Sequence, residues 1–146
     1  ETIFDKGQYI ITFDIPNNYP TKGPHVKVLT ESGRFDTNKN VCYLIESHDN
    51  PCFWLPSINL SNFIVMFINS FTNDKINGIG YKKSDSKTMQ CFAEDSHNYN
   101  KIHNKDVIEI FDNIRKIKNS NNDDIVKDFI TSCLSKISGK ISIDKN

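Results

Sequence analysis

Apolar and polar residues alternate in two short stretches near the start of the chain. These stretches are residues 7–15 and residues 25–30. The apolar face of the first consists of Tyr9, Ile11, Phe13 and Ile15. A period of two with aromatic and β-branched residues predicts strands that each bury one face. A proline-rich turn separates the stretches, so we expect them to pair as an antiparallel meander.

Helical spacing dominates the second half of the chain. The strongest pattern follows a cap at Asn59 or Ser61 and predicts a central helix. Its apolar positions are Leu60, Phe63, Ile64, Phe67, Ile68 and Phe71, with Val65 and Met66 widening the apolar face. A second helix is expected from a cap at Ser84 or Asp85 to about His97. Its inward residues are Met89, Phe92 and Ala93.

Two further apolar patterns, over residues 107–117 and 125–137, predict C-terminal helices. By contrast, residues 31–56 show no period, and irregular stretches of that length in a compact domain are usually functional. The order of strands, long loop and helices predicts an α+β domain. We expect one core over residues 1–138 and a tail over residues 139–146.

Composition excludes several classes of function. The 146-residue chain carries eighteen basic and eighteen acidic residues, so its formal net charge is zero. Binding to nucleic acid or to an anionic membrane surface favours a basic surplus, and neither is expected here. No apolar run approaches the roughly 18–20 residues of a membrane span. Membrane attachment is therefore expected only through a segment outside this chain.

Cysteines are the residues most suggestive of chemistry. Cys42, Cys52, Cys91 and Cys133 are widely spaced without a C-x-x-C pair, so we expect reduced thiols and no metal site. Cys91 and Cys133 fall in predicted helices and are interpreted as structural. Cys42 lies in the irregular stretch, in a more exposed setting. It is the candidate nucleophile for acyl transfer, which needs an accessible thiol, although position alone does not dismiss Cys52.

A papain-like Cys/His enzyme is a second interpretation of the same stretch. His48 follows six residues after Cys42 and is a candidate base, or else an ordinary loop histidine. However, the C-G-x-C-W pattern and the helix that carry such a nucleophile are absent around Cys42. We therefore disfavour this class.

Several segments resemble the ubiquitin-conjugating enzyme family. Residues 19–30, YPTKGPHVKVLT, are similar to its Tyr-Pro-x-x-Pro-Pro-x-Val-x-Phe-Leu-Thr signature. Residues 33–64 resemble the active-site region of the divergent branch that is tail-anchored in the endoplasmic reticulum. There a Gly-Arg-Phe-x-Thr-Asn segment leads to Leu-Cys, then Trp-x-Pro, then a helix. Cys42, Trp54 and Pro56 match that order. The resemblance covers about residues 1–117.

The resemblance implies a fold and an activity. The fold would be the ubiquitin-conjugating-enzyme fold, with an antiparallel meander, a long active-site loop, a central helix and C-terminal helices. Cys42 would accept ubiquitin as a thioester from an activating enzyme and pass it to a lysine of a protein substrate, usually with a ligase and without a cofactor. The implied location is cytoplasmic, at the cytosolic face of the endoplasmic reticulum, in protein quality control.

Other site residues follow from the resemblance. Most of the family carries His-Pro-Asn before the cysteine, whereas this chain has Ser32-Gly33-Arg34. Asn38 and Asn40 are candidates for oxyanion or loop support, or else ordinary turn residues. The lysine-gate candidates are Ser84 and Asp85, or else a helix cap. The ligase-facing candidates are Tyr19, Pro20 and Pro56, and Trp54 is expected to pack beside the active-site loop.

The resemblance also leaves alternatives open. Family members begin with a helix and a strand before the segment that opens this chain, so the core is expected to be N-terminally incomplete. A catalytically inactive binding module of the same fold is the main alternative, although such variants typically lack the cysteine. A ubiquitin-like modifier in place of ubiquitin is another.

Overall fold

The computed structural model describes residues 2–42, 54–73 and 75–120, with the backbone alone over residues 117–120. By its internal contacts the chain divides into two units, residues 1–104 and 105–146. The elements of the first are β1 (Ile11–Asp14), β2 (His25–Val28), β3 (Asn40–Val41), α1 (Leu60–Asn69) and α2 (Ser86–His103). The second contains α3 (Lys105–Ser120).

The described strands form one antiparallel sheet in the order β1-β2-β3. Ile11 pairs with Val28 on one side of β2, and Val26 pairs with Val41 on the other. The predicted pairing of the first two strands is therefore confirmed. Strand β3 lies inside the stretch for which the sequence indicated no period. Two residues are too few to show an alternation, so only the pairing reveals the strand.

One face of the sheet packs against α1 through aromatic rings. The buried cluster consists of Val26, Val28, Phe35, Val41, Phe63, Phe67 and Phe71. Phe13 on β1 lies edge-on to both Phe63 and Phe67, each with ring centroids 5.9 Å apart. Edge-to-face contacts of this kind stabilise a core beyond the area that they bury. A helix packed on an antiparallel sheet agrees with the predicted α+β class.

The apolar faces of α1 and β1 are narrower than predicted. Phe63 and Phe67 are buried one turn apart, but Ile68 is 52% exposed, and Val65 and Met66 are exposed as well. Adjacent helical residues point about 100° apart, so Ile68 leaves the buried stripe that holds Phe67. Similarly, Ile15 is exposed because β1 ends at Asp14, before it.

Helix α2 extends beyond the predicted end at His97 to His103. Its buried residues after Ala93 are Ser96 and Asn100. Both are polar, so a pattern of apolar residues could not predict their burial. Both are satisfied by the N-terminal segment, since the Gln8 N–H donates to Ser96 Oγ at 2.8 Å and Asn100 Nδ2 donates to the Gln8 carbonyl at 2.8 Å. The polar pairs let this face be buried without apolar side chains.

Helix α3 confirms the helix predicted over residues 107–117. The helix predicted over residues 125–137 and the tail over residues 139–146 lie outside the described residues, so the domain bounds stay a prediction. No helix in the described part of the chain is both long enough and apolar enough to cross a bilayer.

Candidate functional site

Cys42 lies directly after β3, at the edge of a cavity of about 460 Å³. Its N–H donates to the carbonyl of Ile79 at 2.9 Å. The residue is only 7% exposed, so the expected open setting is wrong. The hydrogen bond to Ile79 joins residues far apart in the chain, which a local pattern cannot indicate. Cys42 lines the cavity, so we expect a reactant to approach it from there.

The described walls of the cavity are the proline-rich turn, β2, β3 with Cys42, and the residues Trp54 and Ile79. Among its lining residues are Thr21, Lys22, His25, Asn40, Trp54 and Ile79. Its volume is within the range of about 300–1,000 Å³ that is typical of ligand pockets. Ile79 is 68% exposed and offers an apolar contact at this site.

Each of the two described cysteines corrects one expectation, namely that Cys42 is reduced and that Cys91 is a structural residue. Cys42 is disulfide-bonded, and the sulfur to which it is bonded lies outside the described residues. Cys91 is a free thiol exposed on α2, not a buried structural residue. It precedes the inward-facing Phe92 and Ala93 in the helix and so points away from the core. Because the thiolate is the nucleophile, acyl transfer requires Cys42 to be reduced.

Of the two candidate asparagines, the structure brings Asn40 to Cys42. Asn40 lies in β3 two residues before Cys42, and both residues line the cavity. Asn38 is exposed and does not line this cavity. It adopts φ 63, and its N–H donates to the Val28 carbonyl at 3.0 Å. Asn38 therefore shapes the turn before β3, because asparagine tolerates this conformation.

His25 is a cavity residue that the sequence reasoning missed. The register of β2 and β3 pairs Lys27 with Asn40 and Val26 with Val41, so one further step places His25 opposite Cys42. Both residues line the cavity. The alternation of residues 25–30 already placed His25 on the polar face of a strand. The sequence pattern gave no indication of β3, so it could not predict that His25 lies opposite Cys42.

Sequence comparisons identify the relatives of this chain. A ubiquitin-conjugating enzyme E2 6 of Schizosaccharomyces pombe is 33% identical over 127 residues, which cover 87% of this chain and 54% of the relative. An E2 6 of Eremothecium gossypii is 30% identical over 111 residues, covering 76% of this chain and 45% of the relative. The chain belongs to the ubiquitin-conjugating enzyme family.

More distant members of the family extend the comparison. Ubiquitin-conjugating enzyme E2 32 of Arabidopsis thaliana is 30% identical over 92 residues, covering 61% of this chain and 29% of the relative. No protein-family model matches the chain. The chain spans about half the length, or less, of these relatives. The family assignment therefore rests on the similarity of this portion.

In this member of the ubiquitin-conjugating family, Trp54 connects the proline-rich turn to the core. Its Nε1 donates to the Pro20 carbonyl at 2.7 Å, and its ring centroid lies 5.9 Å from that of Tyr19. On its other side it is edge-on to Phe63 at 5.4 Å. The expected structural role of Trp54 is confirmed, whereas residues 43–53 of the loop beside which it was expected to pack lie outside the described residues. Tyr19 is half-buried, whereas Pro20 and Pro56 are exposed, and the ligase-facing role of all three stays a prediction.

The lysine-gate candidates begin α2. Asp85 is its N-cap, with Oδ1 accepting from the Thr88 N–H at 2.9 Å and Oδ2 from the Thr88 hydroxyl at 2.6 Å. These bonds lower the pKa of the Asp85 carboxyl, because they favour its charged form. Ser84 is half-buried, and its N–H donates to the Gly33 carbonyl at 3.3 Å. Neither side chain lines the cavity of Cys42. The capping alternative is confirmed, and the gate stays a prediction.

Proposed function

We propose that this chain is the catalytic part of a ubiquitin-conjugating enzyme, with Cys42 as the residue that carries ubiquitin. The observation that supports this most is the position of Cys42, at the end of β3 and at the wall of a cavity, in a chain of this family. Retention of the cysteine favours an enzyme over an inactive binding module.

The proposed reaction has two steps. The Cys42 thiolate attacks the carbonyl of ubiquitin carried as a thioester by the activating enzyme; a new carbon–sulfur bond forms and the activating enzyme's thiolate leaves. The amine of a substrate lysine then attacks the same carbonyl. The bond to Cys42 breaks, its thiolate leaves, and an isopeptide bond forms with loss of a proton from nitrogen. Each step passes through an oxyanion that a nearby N–H donor stabilises.

The positions of four other candidate residues suggest their roles in this reaction. Asn40 is the candidate donor to the oxyanion, because it lies two residues before Cys42 and lines the same cavity. Asn38 supports the turn that leads into β3. Asp85 and Ser84 are the candidate gate for the incoming lysine, in addition to starting α2.

Partners and location complete the proposal. The partners are ubiquitin, an activating enzyme, a ligase and a protein substrate. The exposed Pro20 and Pro56, with Tyr19 behind them, are the proposed ligase contact. Attachment to the endoplasmic reticulum, through a segment outside this chain, and a role in protein quality control follow from the resemblance alone.

A charging assay tests the proposal. The chain is reduced with a phosphine, which frees Cys42, and is then incubated with activating enzyme, ATP and ubiquitin. We expect a species that is heavier by one ubiquitin and is lost on treatment with a thiol. Cys42→Ala should abolish it. Cys91→Ala should leave it unchanged, which makes the exposed, free Cys91 a matched control.

Two outcomes would contradict the enzyme. A charged species that persists in Cys42→Ala would assign the chemistry to another cysteine, and Cys52→Ala is included to identify it. Absence of any charged species from the pre-reduced chain would favour the inactive binding module. In that case binding of uncharged ubiquitin, measured by chemical-shift perturbation, is the property to look for.

A further inference from the structure

Arg34 is a charged residue that the fold buries, with only 3% of it exposed. Its guanidinium donates to three backbone carbonyls. Nε donates to Ser70 O at 3.1 Å, and Nη2 donates to Asn73 O at 2.6 Å and to Ile76 O at 2.7 Å. Ser70 is the C-cap of α1, so Arg34 bridges the end of that helix and the loop that follows it.

Backbone carbonyls are a suitable partner for a buried guanidinium. The C-terminal end of a helix carries partial negative charge, and the planar group can serve several acceptors at once. The rings of Tyr81 and Phe35 lie 4.9 Å and 5.9 Å from its Cζ atom and add cation–π attraction. No ion pair joins Arg34 to a carboxylate among the described residues. Among the described residues, the guanidinium of Arg34 therefore serves to bind backbone carbonyls.

Part of the backbone that Arg34 binds also contacts Cys42. We call residues 75–82 the clamped segment. Arg34 binds it twice, since its side chain donates to Ile76 O and its own carbonyl accepts from the Lys82 N–H at 2.8 Å. Between these points the Ile79 carbonyl accepts the Cys42 N–H at 2.9 Å. Next to it, Gly80 packs so closely that an added Cβ would lie 2.6 Å from Asn40 O.

We propose that Arg34 is a positioning residue for Cys42. Arg34 fixes the clamped segment, and the segment in turn fixes the backbone of Cys42 and the direction of its sulfur at the cavity. Arg34 does not line that cavity. The catalytic importance of Arg34 rests on the proposed function. The connection from Arg34 through the clamped segment to the Cys42 amide does not. The two are tested separately.

The link is tested by hydrogen exchange of the Cys42 amide in Arg34→Lys, measured by NMR on the pre-reduced chain. Lysine keeps the charge but loses the planar set of donors that reaches three carbonyls. We expect the Cys42 amide to exchange about tenfold faster, because the segment that accepts its hydrogen bond opens more often. Ser96→Ala is the control, since it removes two hydrogen bonds outside the clamped segment, one accepted from the Gln8 N–H and one donated to the Ala93 carbonyl. It should lower Tm without changing exchange at Cys42.

A second variant keeps the test decisive if Arg34→Lys does not fold. Gly80→Ala forces a Cβ against Asn40 O and Val41 Cα at the opposite end of the link, at a residue with φ +84. It should accelerate the same amide. Unchanged exchange at Cys42 in the folded variants, with Tm lowered as in Ser96→Ala, would overturn the proposal.

The effect of Arg34→Lys on ubiquitin discharge is measured separately from its effect on hydrogen exchange at Cys42. If the chain charges, discharge of ubiquitin from Arg34→Lys should be about tenfold slower than from Ser96→Ala, because small displacements of a reacting group are costly. Equal discharge rates would overturn the positioning role even if exchange increased. If the chain does not charge at all, the exchange result still decides whether Arg34 holds Cys42.

Discussion

Asn38 and Asn40 have the same side chain and lie close together in the sequence, yet the fold gives them different surroundings. Asn40 lines the same cavity as Cys42, whereas Asn38 makes a left-handed turn. We predict that Asn40→Ala slows discharge of ubiquitin onto free lysine by about 100-fold, the usual cost of losing one oxyanion donor. Single-turnover discharge from the pre-charged chain measures it.

Asn38→Gly is the matched control for that prediction. Glycine accepts φ 63 without strain, so the turn is retained while the amide is removed. Its discharge rate should stay within about twofold of the native rate, which corresponds to about 0.4 kcal/mol in barrier height. Equal slowing in both variants would remove Asn40 from the proposed oxyanion role.

At the residue scale, sequence reasoning found Cys42 and missed its surroundings. The irregular stretch and the resemblance both indicated Cys42. Its backbone is bonded to Ile79, and Gly80 packs against Asn40 and Val41, although both are distant in sequence and approach only in the folded chain. The position of His25 depends likewise on the pairing with β3. Contacts of this kind leave no periodic signal along the chain.

At the scale of elements, the start of α2 combines a structural role with a proposed catalytic one. Asp85→Ala removes the cap for the Thr88 N–H and should lower Tm, whereas Asp85→Asn keeps a capping oxygen and should lower it less. Circular dichroism during heating measures both. Discharge onto lysine then separates the roles, because the gate proposal predicts slower discharge in Asp85→Asn despite the retained cap. A native rate in that variant would leave capping as the role of Asp85.

The same cap gives the stability of the chain a pH dependence. Hydrogen bonds from Thr88 lower the pKa of Asp85, so its contribution is full above the unfolded pKa and is lost as the pH falls through the folded one. The native Tm should therefore fall more than that of Asp85→Asn between about pH 5 and pH 3. Parallel Tm curves over that range would contradict the prediction.

Elements with clear periodicity were predictable, and elements defined by polar contacts were not. Helix α1 was found from its phenylalanines, although its buried face proved narrower than predicted. The second half of α2 was missed because Ser96 and Asn100 are buried through hydrogen bonds. Strand β3 was missed because it is too short to alternate.

For the whole molecule, the order of elements was enough to predict an α+β class. Strands followed by helices, with a helix on one face of an antiparallel sheet, are what the described part of residues 1–104 contains. The division at residue 104 was not predicted, because residues 1–138 were expected to form one core and the division depends on contacts between residues distant in the chain. The aligned residues cover 54% and 45% of two relatives, so the whole protein's partners stay proposals.

The central claim is that Cys42 carries ubiquitin, and differential labelling of the unmutated chain tests it most directly. The pre-reduced chain is charged, its remaining thiols are blocked with one alkylating reagent, and hydroxylamine then cleaves thioesters but leaves disulfides intact. A second, isotopically distinct reagent labels the thiol that is released, and mass spectrometry locates it. We predict the second label on Cys42 alone. A second label on Cys52, Cys91 or Cys133, or none on Cys42 in the charged chain, would contradict the claim.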